Sequence, residues 1–240
     1  MEGKTFLIFG ISKGLGKEIT DEIPGPKDVV FGVSRSNPLI NESRENITWI
    51  KADLSMPVKA IDDIKKVIGD SKIDCLIYNV GIWESTAFSE EYNFQENTSR
   101  EISSIVQTNI TSCILSIQAF IENMKKSTNA KIILIGSTWG LDNHNGREVS
   151  FSASKFAIRG IAHAIRENLR ESKIGVTVLN LGYLATEYQG EKDIDFIAEK
   201  TGGSLIPLQD VIAAIKFVLA TTPYSCVKEI TMPAMADKNV

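Results

Sequence analysis

Short runs of apolar and β-branched residues recur along the whole chain: Thr5–Phe9, Val29–Val33, Thr48–Ile50, Cys75–Tyr78, Lys131–Ile135, Val176–Leu179 and Val227–Thr231. Most are apolar throughout rather than alternating, as strands are when helices cover both faces of a parallel sheet. Between them, apolar residues return at steps of three and four. Val58–Ile68 carries Ile61, Ile64 and Ile68, and Ile102–Met124 carries a longer stripe through Ile105, Cys113, Ile117, Phe120 and Met124. Ser154–Leu169 and Val211–Leu219 also read as helices. Strand and helix in alternation predict an α/β fold of the Rossmann type, a doubly wound parallel sheet in three layers with right-handed crossovers. No repeat, low-complexity tract or linker interrupts the pattern, so residues 1–240 read as a single domain. Asn37–Glu45 and Tyr183–Leu205 have weak periodicity. The second is polar, holds Gly190, Gly202 and Gly203, and reads equally as a mobile lid or a surface loop.

Composition narrows the class. Hydrophobic residues make up 43% of the 240 residues, enough for a large core, and the formal charge is −4. An acidic balance with no Lys/Arg block argues against nucleic-acid binding, which needs a basic face. Cys75, Cys113 and Cys226 are far apart and odd in number, so they read as buried, reduced thiols. His144 and His163 form no metal-ligand spacing with them, and no metal site is expected. The start, MEGKTFLIFG, has no basic segment leading into a long apolar one, and no window of about 18 apolar residues is evident. A cytoplasmic protein without a membrane partner is the expectation.

Candidate chemistry begins at the end of the first run. Gly10-Ile11-Ser12-Lys13-Gly14-Leu15-Gly16 follows a strand and opens a helix. Glycines there let the backbone turn tightly and approach a pyrophosphate, which the helix N-terminus favours. At the end of the second run, where NAD(H) sites place an acid for the ribose 2′-hydroxyl, stand Ser34 and Arg35. A guanidinium can pair with a 2′-phosphate, and Lys13 adds a second cation, so NADP(H) is expected over NAD(H).

With these features the chain resembles the short-chain dehydrogenase/reductase family over nearly its whole length. Gly10, Gly14 and Gly16 fit the family glycine motif, and Asp53, followed by Leu54, matches its adenine-contacting acid. Tyr78-Asn79-Val80-Gly81 is similar to the Asn-Asn-Ala-Gly motif, which places Asn79 and Gly81 beside the cofactor. Asn109 matches the helix Asn that holds a water in the proton relay. Ser137 matches the active-site serine, and Lys155 the lysine that binds the nicotinamide ribose. Asn180-Leu181-Gly182 and Thr186 resemble Asn-Pro-Gly-x-x-x-Thr, with Leu for Pro. The resemblance implies a hydride-transferring oxidoreductase acting on a small carbonyl or alcohol substrate, assembled as a homodimer or homotetramer.

One departure bears on the chemistry. The family's Tyr-x-x-x-Lys motif stands here as Phe151-Ser152-Ala153-Ser154-Lys155. In the family the phenol gives its proton to the substrate oxygen. Phe151 keeps the ring and has no proton, and losing a positioned acid–base typically costs about 10²–10⁴-fold in rate. Three readings stay open: a Tyr→Phe variant of an active enzyme; a natural reductase that takes its proton from Ser137, Ser150, Ser152, Tyr183 or a lysine-bound water, or acts on a conjugated C=C; and a cofactor-binding protein without turnover. Trp83, Trp139, His144, Tyr183 and Tyr188 are candidate walls of a partly apolar substrate pocket.

Overall fold

In a computed structural model of the protein, which describes residues 3–38, 44–142 and 144–238, the apolar runs become one parallel sheet. Its strands are β1 (Thr5–Phe9), β2 (Val29–Ser34), β3 (Ile47–Lys51), β4 (Cys75–Tyr78), β5 (Lys131–Ile135), β6 (Gly175–Leu181) and β7 (Glu229–Met232). The order is β3-β2-β1-β4-β5-β6-β7, with every pair parallel. Of the weakly periodic stretch Asn37–Glu45, positions 39–43 lie outside the described residues.

Helices cover both faces. They are α1 (Gly14–Glu22), α2 (Pro57–Ile68), α3 (Ser99–Ile105), α4 (Ser112–Lys125), α5 (Val149–Asn168), α6 (Ile194–Thr201) and α7 (Leu208–Ala220). Successive strand residues point to opposite faces, and this divides the core in two. Leu7, Phe9, Leu76, Tyr78, Ile132 and Leu134 pack against Ile61 and Ile64 of α2, Ile117 and Phe120 of α4, and Ile158 of α5. Phe6, Ile8, Ile77, Ile133 and Ile135 pack against Leu15 and Ile19 of α1 and Val211 and Ile215 of α7. The strands read as continuous apolar runs because both faces are covered, and the fold is the expected single-domain, Rossmann-like α/β sandwich.

Several details depart from the sequence pattern. The stripe over Ile102–Met124 is not one uniform helix: α3 and α4 are joined by a π-helical stretch, Val106–Thr111. There Tyr78 donates its hydroxyl to the Thr108 carbonyl at 2.9 Å and also bonds Ser112. A side chain of β4 thus satisfies a carbonyl in the widened turn, where the regular ladder is interrupted. The whole segment Ser99–Lys125 is long and apolar enough to cross a membrane by length and composition, which corrects the expectation that no such window exists. Here it is a core helix, since Ile105, Cys113, Ile117, Phe120 and Met124 are buried. Helix α5 starts at Val149, five residues earlier than its apolar stripe indicates. Tyr183–Leu205 is not all loop, because α6 forms within it, capped by Asp193 and ended by left-handed Gly202. Cys75 and Cys113 are buried and both thiols are pushed up to about 12 by burial, but Cys226 is exposed, a correction to the reading of all three as buried.

Candidate active site

The carboxyl ends of β1, β2, β4, β5 and β6 open into one cleft of about 980 Å³, the expected ligand edge of such a sheet. At one end lies the glycine turn. Gly10 has φ +84°, and a Cβ there would sit 2.2 Å from the Asn79 carbonyl oxygen. Gly16 lies beneath the turn, where a Cβ would be 1.9 Å from the Gly10 carbonyl oxygen. Gly16 therefore permits close packing rather than lining the cleft. Ser12, Lys13, Gly14 and Leu15 do line it. The side chain of Lys13, which precedes helix α1, makes no cap bond and the first turn holds no acid, so the positive dipole end of the helix is suited to an anion. The Gly14 N–H is met by the side-chain oxygen of Gln189 at 2.9 Å.

The residues that the sequence marks as candidates for an adenosine end lie close together. Ser34, Arg35, Asp53 and Leu54 all line the cleft. The Ser34 hydroxyl is committed to the protein, donating to the Ser36 carbonyl at 2.8 Å and accepting from the Trp49 indole at 3.0 Å. It shapes the turn that presents Arg35, whose side chain is exposed. A smaller pocket of about 300 Å³ adjoins this end and shares Arg35 and Asp53, with Lys51 and Lys59 on its wall. Lys51 pairs in register with Ser34 across β2 and β3. It is a further cation near Arg35 that the sequence reading missed.

The other end holds the candidate reacting groups. Ser137, Phe151, Lys155, Asn79, Gly81, Gly182 and Thr186 line the cleft. Lys155 is 6% exposed. Its Nζ donates to the Ile135 carbonyl at 3.0 Å and lies 5.4 Å from the centre of the Phe151 ring. Burial pushes its ammonium down to about 8, because removing a charge from water favours the neutral amine. Asn109 is buried behind the wall. Its amide bonds both backbone groups of Ile82, at 2.9 and 2.7 Å, and the Ser154 hydroxyl at 3.0 Å. The side chain therefore braces Ile82 and α5 and does not face the cleft.

Of the alternative donors, only Ser137, Tyr183 and Lys155 reach the cleft. Ser152 donates to the Trp139 carbonyl and pairs with His144, and Ser150 is buried at the start of α5. Burial pushes the Tyr183 phenol up to about 12, helped by the charges of Glu148 and Asp237. Of the candidate aromatic walls, Trp83, Trp139 and Tyr183 line the cleft. His144 stacks on Trp139 and Tyr188 packs on Phe196, and neither lines the cleft. Both are corrections to the sequence reading.

Residues 4–195 match the family model for short chain dehydrogenase, four-fifths of the chain. The protein is a short-chain dehydrogenase. This short-chain dehydrogenase is 27% identical to farnesol dehydrogenase of Aedes aegypti, with 98% of each chain covered. It is 24% identical to the 3-oxoacyl-(acyl-carrier-protein) reductase FabG of Haemophilus influenzae, with 91% of each covered. A solved structure of a tyrosine-to-phenylalanine variant of ElxO with NADPH bound shares the fold, with a TM-score of 0.76 at 23% identity, covering 95% of this chain and 97% of that one.

Three further residues of the short-chain dehydrogenase emerge only from its structure. Phe88 lines the cleft and touches four other aromatic rings. Glu148 is buried and accepts from the Phe88 N–H at 2.9 Å and the Trp139 indole at 2.7 Å. Burial opposes its charge, but these bonds hold its carboxyl below the usual range. Glu84, also buried, accepts from the Ser150 and Phe151 N–H groups and caps α5 from outside the helix. Nothing in hydrophobic periodicity marks these positions, since each acts through contacts distant in sequence.

Proposed function

We propose that this chain is an NADP(H)-dependent oxidoreductase of small carbonyl or alcohol compounds in which Phe151 stands where the family's acid–base tyrosine stands. The observation that carries the reading is the single cleft, which runs from the glycine turn and Arg35 to Ser137 and Lys155.

The residues fit the dinucleotide. A helix start free of acidic residues and a turn that excludes Cβ atoms suit a pyrophosphate. Asp53 and Leu54 flank the adenosine end, and Arg35, with Lys13 and Lys51 near, favours a 2′-phosphate over a bare ribose. Lys155, Asn79, Gly81, Gly182 and Thr186 would hold the nicotinamide riboside end. Bound there, the nicotinamide supplies or accepts a hydride. The Ser137 hydroxyl, which accepts from the Trp139 N–H at 3.2 Å, keeps its proton free to bond a substrate oxygen. The ring at 151 closes the wall without giving a proton, so reduction at a carbonyl is slowed or uses another donor. The NADPH-bound ElxO variant supports the first half of this reading, since a Tyr→Phe change there is compatible with cofactor binding.

A second reading is a reductase that works without a phenol at 151. The Lys155 ammonium favours it, because its lowered pKa makes it the strongest acid among the three donors that reach the cleft. Cytoplasmic location and assembly as a homodimer or homotetramer remain part of the proposal by family resemblance. A fluorescence titration of NADPH and NADH, run beside the Phe151→Tyr form and a carbonyl panel, tests binding and chemistry separately. Failure to bind either nucleotide sinks the proposal.

A further inference from the structure

Phe88 is in the left-handed region with φ +63°. Such a conformation is unfavourable for a bulky side chain and persists only where the surroundings impose it. Here the restraints are visible. The Phe88 N–H is held by the buried carboxylate of Glu148 at 2.9 Å. The same carboxylate holds the indole of Trp139 at 2.7 Å. The Phe88 ring then stands edge-to-face against Trp83, Trp139, Phe151 and Tyr183, at centroid distances of 5.7, 5.7, 5.3 and 5.7 Å. The loop that carries it is polar and acidic, Ser89-Glu90-Glu91 following directly, so an inward aromatic there is not a packing default.

This cluster stands at the reacting end of the cleft. Phe88 is 36% exposed and Trp83 54% exposed, so two apolar faces remain open to the cleft beside Phe151. Trp83 also meets Phe151 edge-on at 6.1 Å. An open aromatic face pairs best with another flat ring, in offset-stacked or edge-to-face contact. Ser137, Lys155 and Tyr183 line the same cleft and can offer hydrogen bonds to a substrate oxygen.

Resting on the oxidoreductase reading above, we infer that Phe88 is the specificity-determining residue of the substrate end, and that this end takes flat aryl carbonyl compounds. An aryl ring would lie against the open faces of Trp83 and Phe88, with its carbonyl oxygen toward Ser137. A saturated, puckered ring of the same carbon count would forgo that ring-to-ring contact. Phe88 acts here by shape, and no covalent step is assigned to it.

Acetophenone and cyclohexyl methyl ketone test this directly, because they share a carbon skeleton and differ in flatness. Their binding is measured by saturation-transfer NMR on the full chain, with and without NADPH. Acetophenone is expected to bind at least about fivefold more tightly, the scale of one or two ring contacts. In Phe88→Gly, which accepts the positive φ without strain, and in Phe88→Leu, which keeps apolar bulk, the ratio should fall to within about twofold. Two variants with opposite backbone preferences guard against a folding artefact, and their melting temperatures are read alongside. Equal affinities in the unaltered protein, binding of neither ketone, or a preference that survives both substitutions would each overturn the inference. NADPH titration of the same samples is independent: nucleotide failure rejects the oxidoreductase reading, whereas a lost ketone preference with intact nucleotide binding rejects only the role of Phe88.

Discussion

The ammonium of Lys155 lies 5.4 Å from the centre of the Phe151 ring, four residues earlier on the same face of α5. A ring face attracts a cation, but it offers no lone pair and no proton. A hydroxyl on that ring would put an acid beside the amine that tunes it. Phe151→Tyr is accordingly expected to raise carbonyl reduction by about 10²–10⁴-fold and to leave NADPH affinity nearly unchanged. Steady-state rates on a carbonyl panel, with a nucleotide titration beside them, check this. An unchanged rate would remove position 151 from the proton path.

The same lysine makes stability depend on pH. Its pKa falls from the ordinary lysine value of 10.5 to about 8 in the fold. Between those values the unfolded chain holds a proton that the folded chain has released, so stability from this group rises with pH across that window. Below about pH 8 the buried charge costs the fold roughly 3 kcal/mol. Lys155→Met keeps most of the stem and removes the charge, while it leaves the Ile135 carbonyl without its donor. Its unfolding free energy in urea is expected to exceed that of the parent by about 2 kcal/mol at pH 7. The gain should shrink as the pH rises toward the unfolded value. A loss of stability at pH 7 would mean that the bond to the Ile135 carbonyl outweighs the cost of burying this charge.

Arg35 decides between the two nucleotides in the proposed reading. Arg35→Glu places a carboxylate at the end of β2, where it repels a 2′-phosphate and can accept from a 2′-hydroxyl. NADPH affinity should fall by at least about tenfold, and NADH should bind as well as before or better. Fluorescence titration with both nucleotides reads the ratio. A ratio that does not move would assign the choice to Lys51 or Lys13.

Tyr78 is fully buried, and its hydroxyl serves the π-helical turn beside Asn109. Tyr78→Phe leaves the Thr108 carbonyl with the Ser112 hydroxyl as its remaining side-chain donor. The expected cost is about 1–2 kcal/mol in urea unfolding, with no change in nucleotide affinity, since the ring stays in the core.

Legibility of the fold followed burial. The runs at Leu7–Phe9, Leu76–Tyr78 and Ile132–Leu134 are apolar because helices close both faces, so their pattern and their environment have one cause. Gly10 and Gly14 were legible because their positive φ values admit few other residues. The start of α5 was not, because its cap is Glu84, more than sixty residues away, rather than a neighbouring Ser or Asp. Helix α6 buries one residue, Ile197, too few to set a period. Phe88 was invisible for a related reason: its importance lies in a backbone angle and four rings brought together by the fold. Asn109 matched its motif, yet its amide turned out to be engaged with Ile82 and Ser154.

The strand order has a consequence for how such a protein can change. Arg35 sits at the tip of β2, whereas Ser137 follows β5, three strand spacings away, and Phe88 belongs to the ring cluster beside Phe151. Alterations to one neighbourhood need not disturb the other, because distant sites with no shared partners act independently. On the proposed reading, nucleotide preference and substrate preference are therefore separable traits in this architecture, and a lineage can retune either one while inheriting the other intact.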